Sequence, residues 1–272
     1  IDRIEEILEL PVEVEEETEI SDRPPTDGAI RFQSVGFAFS PDAPVLENVD
    51  FEIADGETIA IVGPSGCGKS TLVQLLLRFY DPDAGSITLG GVDLRRLPRR
   101  ELRTRIATVL QQPFLFSRSI RENVVLADPT ADATRVEAAT GEACIHDSIL
   151  RFESGYDTPV GERGVTLSGG QRQRIAIAQA LLQNPDVLVL DDALSAVDTG
   201  TERTILDAIR SRRGDHTTII IAHRLSTLRE ADRIVVMGGS GIEAIGTHAE
   251  LRSQSGLYRR LWEIQSRLEA AS

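Results

Sequence analysis

Lys69 is the single lysine of a chain whose other basic residues are all arginine. It stands in the run Gly63, Pro64, Ser65, Gly66, Cys67, Gly68, Lys69, Ser70, Thr71, which fits the spacing G-x-x-x-x-G-K-[ST]. An apolar run, Thr58 to Val62, precedes it and the helical pattern "STLVQLLLRF" follows, so the sequence predicts strand, loop and helix. Such a loop is built for phosphate. Glycines let consecutive backbone N–H groups converge on an anion, and the helix that follows adds its partial positive charge. Lys69 would place a compact, mobile ammonium on the β- and γ-phosphates, which a planar guanidinium does less well. Ser70 offers a hydroxyl to Mg²⁺. The arginine excess is a bias of composition; it does not account for the one position where lysine remains.

Two further stretches carry chemistry. "NPDVLVLDD" reads as a buried strand with Asp191 at its carboxyl end, where a magnesium-orienting acid of a parallel sheet belongs. A second carboxylate, Asp192, follows directly. "LSGGQRQRIAIAQALL" reads as a loop entering an amphipathic helix, in which Ser168, Gly169 and Gly170 present a hydroxyl and bare amides at a helix N-terminus. That is a second phosphate reader, and one nucleotide does not need two from one chain.

The elements that must position these residues fit in 272 residues, 41% of them hydrophobic, enough for one large domain or two small ones. No apolar run approaches the length of a membrane span, and no stretch of the sequence reads as a signal peptide. The chain opens on Ile1, so we expect a piece of something longer. Cys67 and Cys144 are too few for a disulfide framework and suit a reducing compartment. The formal net charge of −14 disfavours nucleic acid as a partner. Much of that charge is local: before Gly28, eleven acids face only Arg3 and Arg23. "IDRIEEILEL" has helical spacing, "PVEVEEETEISDRPPTDG" reads as a solvated linker, and a folded domain is expected from Gly28.

The P-loop, "LSGGQ" and "LVLDD…SAVD" in this order resemble the nucleotide-binding domain of ATP-binding cassette (ABC) proteins, from about Gly28 to the C-terminus. The resemblance implies an α/β fold: a P-loop NTPase (RecA-like) core, an antiparallel β subdomain and an inserted helical subdomain at about 113–175. It implies ATP and Mg²⁺ as ligands. It also implies head-to-tail pairing of two domains, each ATP lying between one P-loop and the other chain's Ser168, Gly169, Gly170 and Gln171, which explains the two readers. "VGFAFS" is similar to the strand whose aromatic stacks on adenine, here Phe39, although strand aromatics are commonly core. "VLQQPFLFSRSIRENV" resembles the segment in which Gln111 reaches Mg²⁺ and the attacking water; Gln112 is its neighbour. Ser195 to Asp198 resemble the loop that touches the partner's site, and His223 stands where a histidine contacts the γ-phosphate. His146, His216 and His248 have no such context and read as surface residues.

Three stretches resemble the exporter branch: "IDRIEEILELP", "PFLFSRSIRENV" and "YDTPVGERGVTLSGG", the last with Glu162 placed to sense membrane domains. The implied partners are a transmembrane domain of the same chain, joined through residues 1–27, and a second ABC subunit, at the cytoplasmic face of a membrane. In hydrolysing relatives the residue after the magnesium Asp is Glu. Asp192 is one methylene shorter, which withdraws its oxygen by roughly 1.3 Å, the scale at which misplacement costs about 10²-fold. The expectation is a slow site on this chain's own P-loop, as in the degenerate half of a heterodimeric exporter. Two alternatives stand beside it: a homodimeric exporter with Asp192 as a competent base, and a regulatory ATP-binding module whose dimerisation is the output.

Overall fold

The computed structural model describes residue 25 and residues 27–161, 166–212, 216–221 and 224–271. Two sheets organise them. In the larger sheet four short apolar runs lie side by side and parallel: β3 (Thr58–Val62), β8 (Thr217–Ile221), β7 (Val187–Asp191) and β6 (Ile106–Val109). β9 (Arg233–Gly238) extends the parallel set beyond β3, and β10 (Gly241–Gly246) closes that edge antiparallel. β3 and β8 are buried at every position and β7 at all but Asp191, as continuous Val/Ile/Leu runs covered on both faces must be. Register aligns the ends: Ile61 pairs with Ile221, Ile221 with Asp191, and Leu190 with Val109. The chain therefore leaves the carboxyl ends of these strands at one level, the edge where open α/β sheets bind ligands.

The smaller sheet is antiparallel, in the order β2 (Ala43–Ile53), β1 (Ile30–Ser40), β4 (Ala84–Leu89), β5 (Val92–Asp93). Its inward residues, including Phe32 stacked on Phe51 at 4.5 Å, share one core with β3 and with α1 (Lys69–Leu76). A short helix α2 (Arg99–Arg105) leads into β6. Between β6 and β7 come α3 (Ile120–Val124), α4 (Ala133–Glu142), α5 (His146–Leu150) and α6 (Gly169–Leu182). α3 starts in a Ser119–Glu122 capping box, and α4 is capped by Asp132, whose carboxylate accepts from the Arg135 N–H. These helices form a second core with β7 and α7 (Thr199–Ser211). The final helices α8 (Leu225–Glu230), α9 (His248–Ser253) and α10 (Leu257–Ala271) cover β9. This is the α/β, P-loop NTPase arrangement with an antiparallel sheet beside the core.

Of the three remaining histidines, expected at the surface, one is removed from it. His216 is buried, while His146 and His248 are part-buried and hydrogen-bond the hydroxyls of Tyr156 and Tyr258 at 2.8 and 2.7 Å. Burial, with Arg229 and Arg252 nearby, holds the His248 imidazole below its usual pKa. Among the described residues no helix is long and apolar enough to cross a membrane.

Candidate functional site

The loop from β3 to α1 takes its shape from three glycines. A Cβ on Gly63 would sit 2.4 Å from the Met237 carbonyl oxygen, and one on Gly68 would sit 2.6 Å from the Leu46 side chain. Gly66 and Gly68 have φ of 83° and 94°, a region that side chains other than glycine rarely adopt. α1 begins at Gly68 with no side-chain cap, so its first N–H groups point into the loop. Lys69 is buried and its Nζ donates to the carbonyl oxygens of Gly63 and Pro64, both at 2.8 Å, with the Cys67 sulfur 3.8 Å away. Pro64, Ser65 and Gly66 form the exposed rim, while Cys67 and Thr71 are buried beneath it.

Opposite this loop stand the two carboxylates. The Ser70 hydroxyl donates to Asp191 at 3.4 Å, bringing together residues 121 positions apart. Asp192 accepts from the Gln111 amide at 2.9 Å, across 81 positions. Its own N–H donates to the Ile221 carbonyl, and its φ is 49°, a left-handed conformation that Asp and Asn adopt more readily than longer side chains. Gln111 and Gln112 are both exposed, but it is the Gln111 side chain that reaches the second carboxylate.

The second reader lies at the start of α6. The Ser168 hydroxyl accepts from the Gln171 N–H at 3.2 Å, and the Gln171 side chain accepts from the Ser168 N–H at 2.9 Å. Gly169 and Gly170 lie against residues 195–198: a Cβ on Gly170 would meet the Ala196 oxygen at 2.7 Å. Asp198 caps α7, and the Thr201 N–H holds its carboxyl below the usual carboxylate range.

Phe39, at the end of β1, is 56% exposed and so is not core. It is propped edge-on by Phe37 at 4.9 Å and Tyr80 at 5.3 Å, leaving a ring face for stacking. β8 ends at Ile221; His223, like Glu162, lies outside the described residues.

The comparisons with known proteins match this arrangement. The family model described as "ABC transporter" covers residues 46–195, from Leu46 under the phosphate loop to Ser195 past the carboxylates. The chain belongs to the ABC transporter family. An ATP-dependent lipid A-core flippase of Chromohalobacter salexigens is 47% identical, over 95% of this chain and 45% of the relative. ATP-binding cassette sub-family B member 6 of Mus musculus is 43% identical, over 93% of this chain and 31% of the relative. A solved structure titled "Structure of a bacterial Atm1-family ABC exporter with ATP bound" superposes with a TM-score of 0.89 at 39% identity, over 97% of this chain and 47% of that one. The chain thus spans less than half the length of these relatives. It is an ATP-binding, ABC-type ATPase unit.

Three residues of this ABC unit escaped sequence reasoning. Gln173, on α6, touches both the Gln111 backbone and residues 195 and 196. Arg224 donates to the carbonyl oxygens of Ser195 and Val197 and to Glu202, a fully buried acid that also accepts from Thr227. A polar residue on the apolar face of α6 was the only signal available for Gln173.

Proposed function

We propose that residues 28–272 are the nucleotide-binding domain of an exporter, with a helical subdomain at about 113–175, and that ATP binding between two such domains drives a substrate across a membrane. Residues 1–27 would be the linker from a transmembrane domain, and the domain would sit at the membrane's cytoplasmic face. The names of the relatives support this reading, as does the exposed apolar cluster Leu110, Phe114 and Phe116 beside a groove lined by Ala176, Gln179 and Gln183, where a transmembrane part can dock.

The observation that carries the reading is the convergence at one sheet edge of Lys69, the Ser70–Asp191 contact and the Gln111–Asp192 contact. Residues 63–71 would hold the phosphates, Lys69 leaving the Gly63 and Pro64 carbonyls for the β- and γ-oxygens. Phe39 would stack on adenine. Ser70, Asp191 and Gln111 form an oxygen donor set suited to Mg²⁺, with the phosphates supplying the rest. When bound, Mg²⁺ would neutralise charge on the β- and γ-phosphates. Asp192, oriented by Gln111, would take the proton of the attacking water as its oxygen bonds to the γ-phosphorus and the bond to ADP breaks, while His223 contacts the γ-phosphate. Ser168, Gly169, Gly170 and Gln171 would close on the partner chain's ATP.

The shorter reach of Asp192 makes this chain's own site slow and favours a different chain as partner, one with Glu after its magnesium Asp. The test is titration of ATP with and without Mg²⁺ into the wild type and Asp191→Asn. The variant should lose the magnesium-dependent gain in affinity, about tenfold or more. Full retention of that gain would overturn the assignment of the site.

A further inference from the structure

Gln173 is 3% exposed, yet three of its hydrogen bonds leave its own helix. Its Nε2 donates to the Gln111 carbonyl oxygen at 3.2 Å and to the Ser195 hydroxyl at 3.1 Å, and its Oε1 accepts from the Ala196 N–H at 2.9 Å. One primary amide thus spends both N–H groups and its oxygen on two loops that make none of the element-to-element pairings of the sheet. A buried amide with both N–H groups and its oxygen engaged is costly to disturb, because any shift of one loop leaves an unsatisfied group.

The two loops face different sites. Gln111 faces Asp192 in this chain's own site. Residues 195–198 lie against the start of α6, with Gly170 too close to Ala196 to carry a side chain. Arg224 holds the same loop separately through the Ser195 and Val197 carbonyls, so Gln173 is the loop's link to Gln111. We propose that Gln173 is a positioning residue that ties the partner-facing loop 195–198 to Gln111, so that a displacement of one loop moves the other and re-aims the Gln111 amide at Asp192. This rests on the proposed reading of Gln111 and of loop 195–198. The link itself is a property of the chain without nucleotide and can be tested apart from that reading.

The experiment is amide hydrogen exchange on the 272-residue chain without nucleotide, followed by ATP binding and turnover. Gln173→Leu should raise exchange across residues 110–113 and 195–197 together, by about tenfold or more, while residues 175–181 of α6 keep their protection. Ser195→Ala should loosen 110–113 as well as its own loop, and should add nothing at 110–113 when Gln173 is already Leu. Turnover, read in the assembled transporter with the partner's catalytic acid removed, should fall about tenfold or more with ATP affinity changed by less than about twofold, the split expected when geometry and not binding is lost. If Gln173→Leu does not fold, Gln173→Glu serves: it keeps an acceptor for the Ala196 N–H but cannot donate to Gln111, so 110–113 should loosen and 195–197 much less. The proposal is overturned if the Ser195→Ala effect never reaches 110–113, or persists there undiminished without Gln173. A wild type that fails to bind ATP would sink the proposed function and leave the exchange cycle to judge Gln173.

Discussion

α1 starts at Gly68, left-handed and without a side-chain cap, whereas α6 starts at Ser168, whose hydroxyl and the Gln171 side chain close a capping box. Both are glycine-rich entries to helices in the same chain, and both can face phosphate. Their hydrogen-bond accounts differ. At α1 the leading N–H groups have no protein cap, and Lys69 is held on two loop carbonyls, an arrangement that an anion completes. At α6 the cap is already made from within the chain, and Gly169 and Gly170 are shaped to fit residues 195–198. The first reader is built to bind on its own. The second is stable empty, as the proposed role of a surface that meets a partner's nucleotide requires.

The largest expected effect is at the first reader. Lys69→Ala removes the only lysine in the chain and should weaken ATP binding on the order of 10- to 100-fold, read by titration. Unchanged affinity would break the comparison at its stronger half. Next comes the chemistry beside that reader. Asp192→Glu restores the missing methylene and should raise turnover at this site about tenfold, measured in the assembled transporter with the partner's catalytic acid removed. On the proposal that this site is slow, Asp192→Asn should change its rate little. If wild-type hydrolysis is instead fast and Asp192→Asn abolishes it, Asp is a competent base, and its left-handed backbone is then the reason for its identity. The smallest effect belongs to the second reader: Ser168→Ala loses the cap and should cost about 1 kcal/mol in chemical denaturation, with ATP affinity of the lone chain unmoved.

How legible each reader was follows from how local its determinants are. The phosphate loop is nine consecutive residues between a buried strand and a helix, so spacing alone places Lys69 and Ser70, and β3 and β7 fall where their apolar runs predict. The capping box at Ser168 is likewise local. Contacts across the sheet edge were not legible. Gln111 meets Asp192 because β6 and β7 are neighbours in register; spacing does not announce it, and only the family resemblance placed both at one site. Gln173 and Glu202 are polar residues buried by tertiary packing, which helical periodicity treats as exceptions, and Arg224 is part-buried beside them. The same limit explains His216 and His248, which lack a motif but have buried surroundings. For Phe39 the sequence left core and ligand platform open, and its exposure at a strand end decides against core.

The claim that the two helix starts serve two different nucleotides is tested most directly by titrating Mg·ATP into the dilute chain carrying Ser168→Arg, which places bulk and charge at the α6 entry. We predict affinity within about twofold of wild type, together with loss of ATP-dependent pairing when the partner chain is added. A weakening in the dilute chain as large as that of Lys69→Ala would put both readers on one nucleotide and contradict the claim.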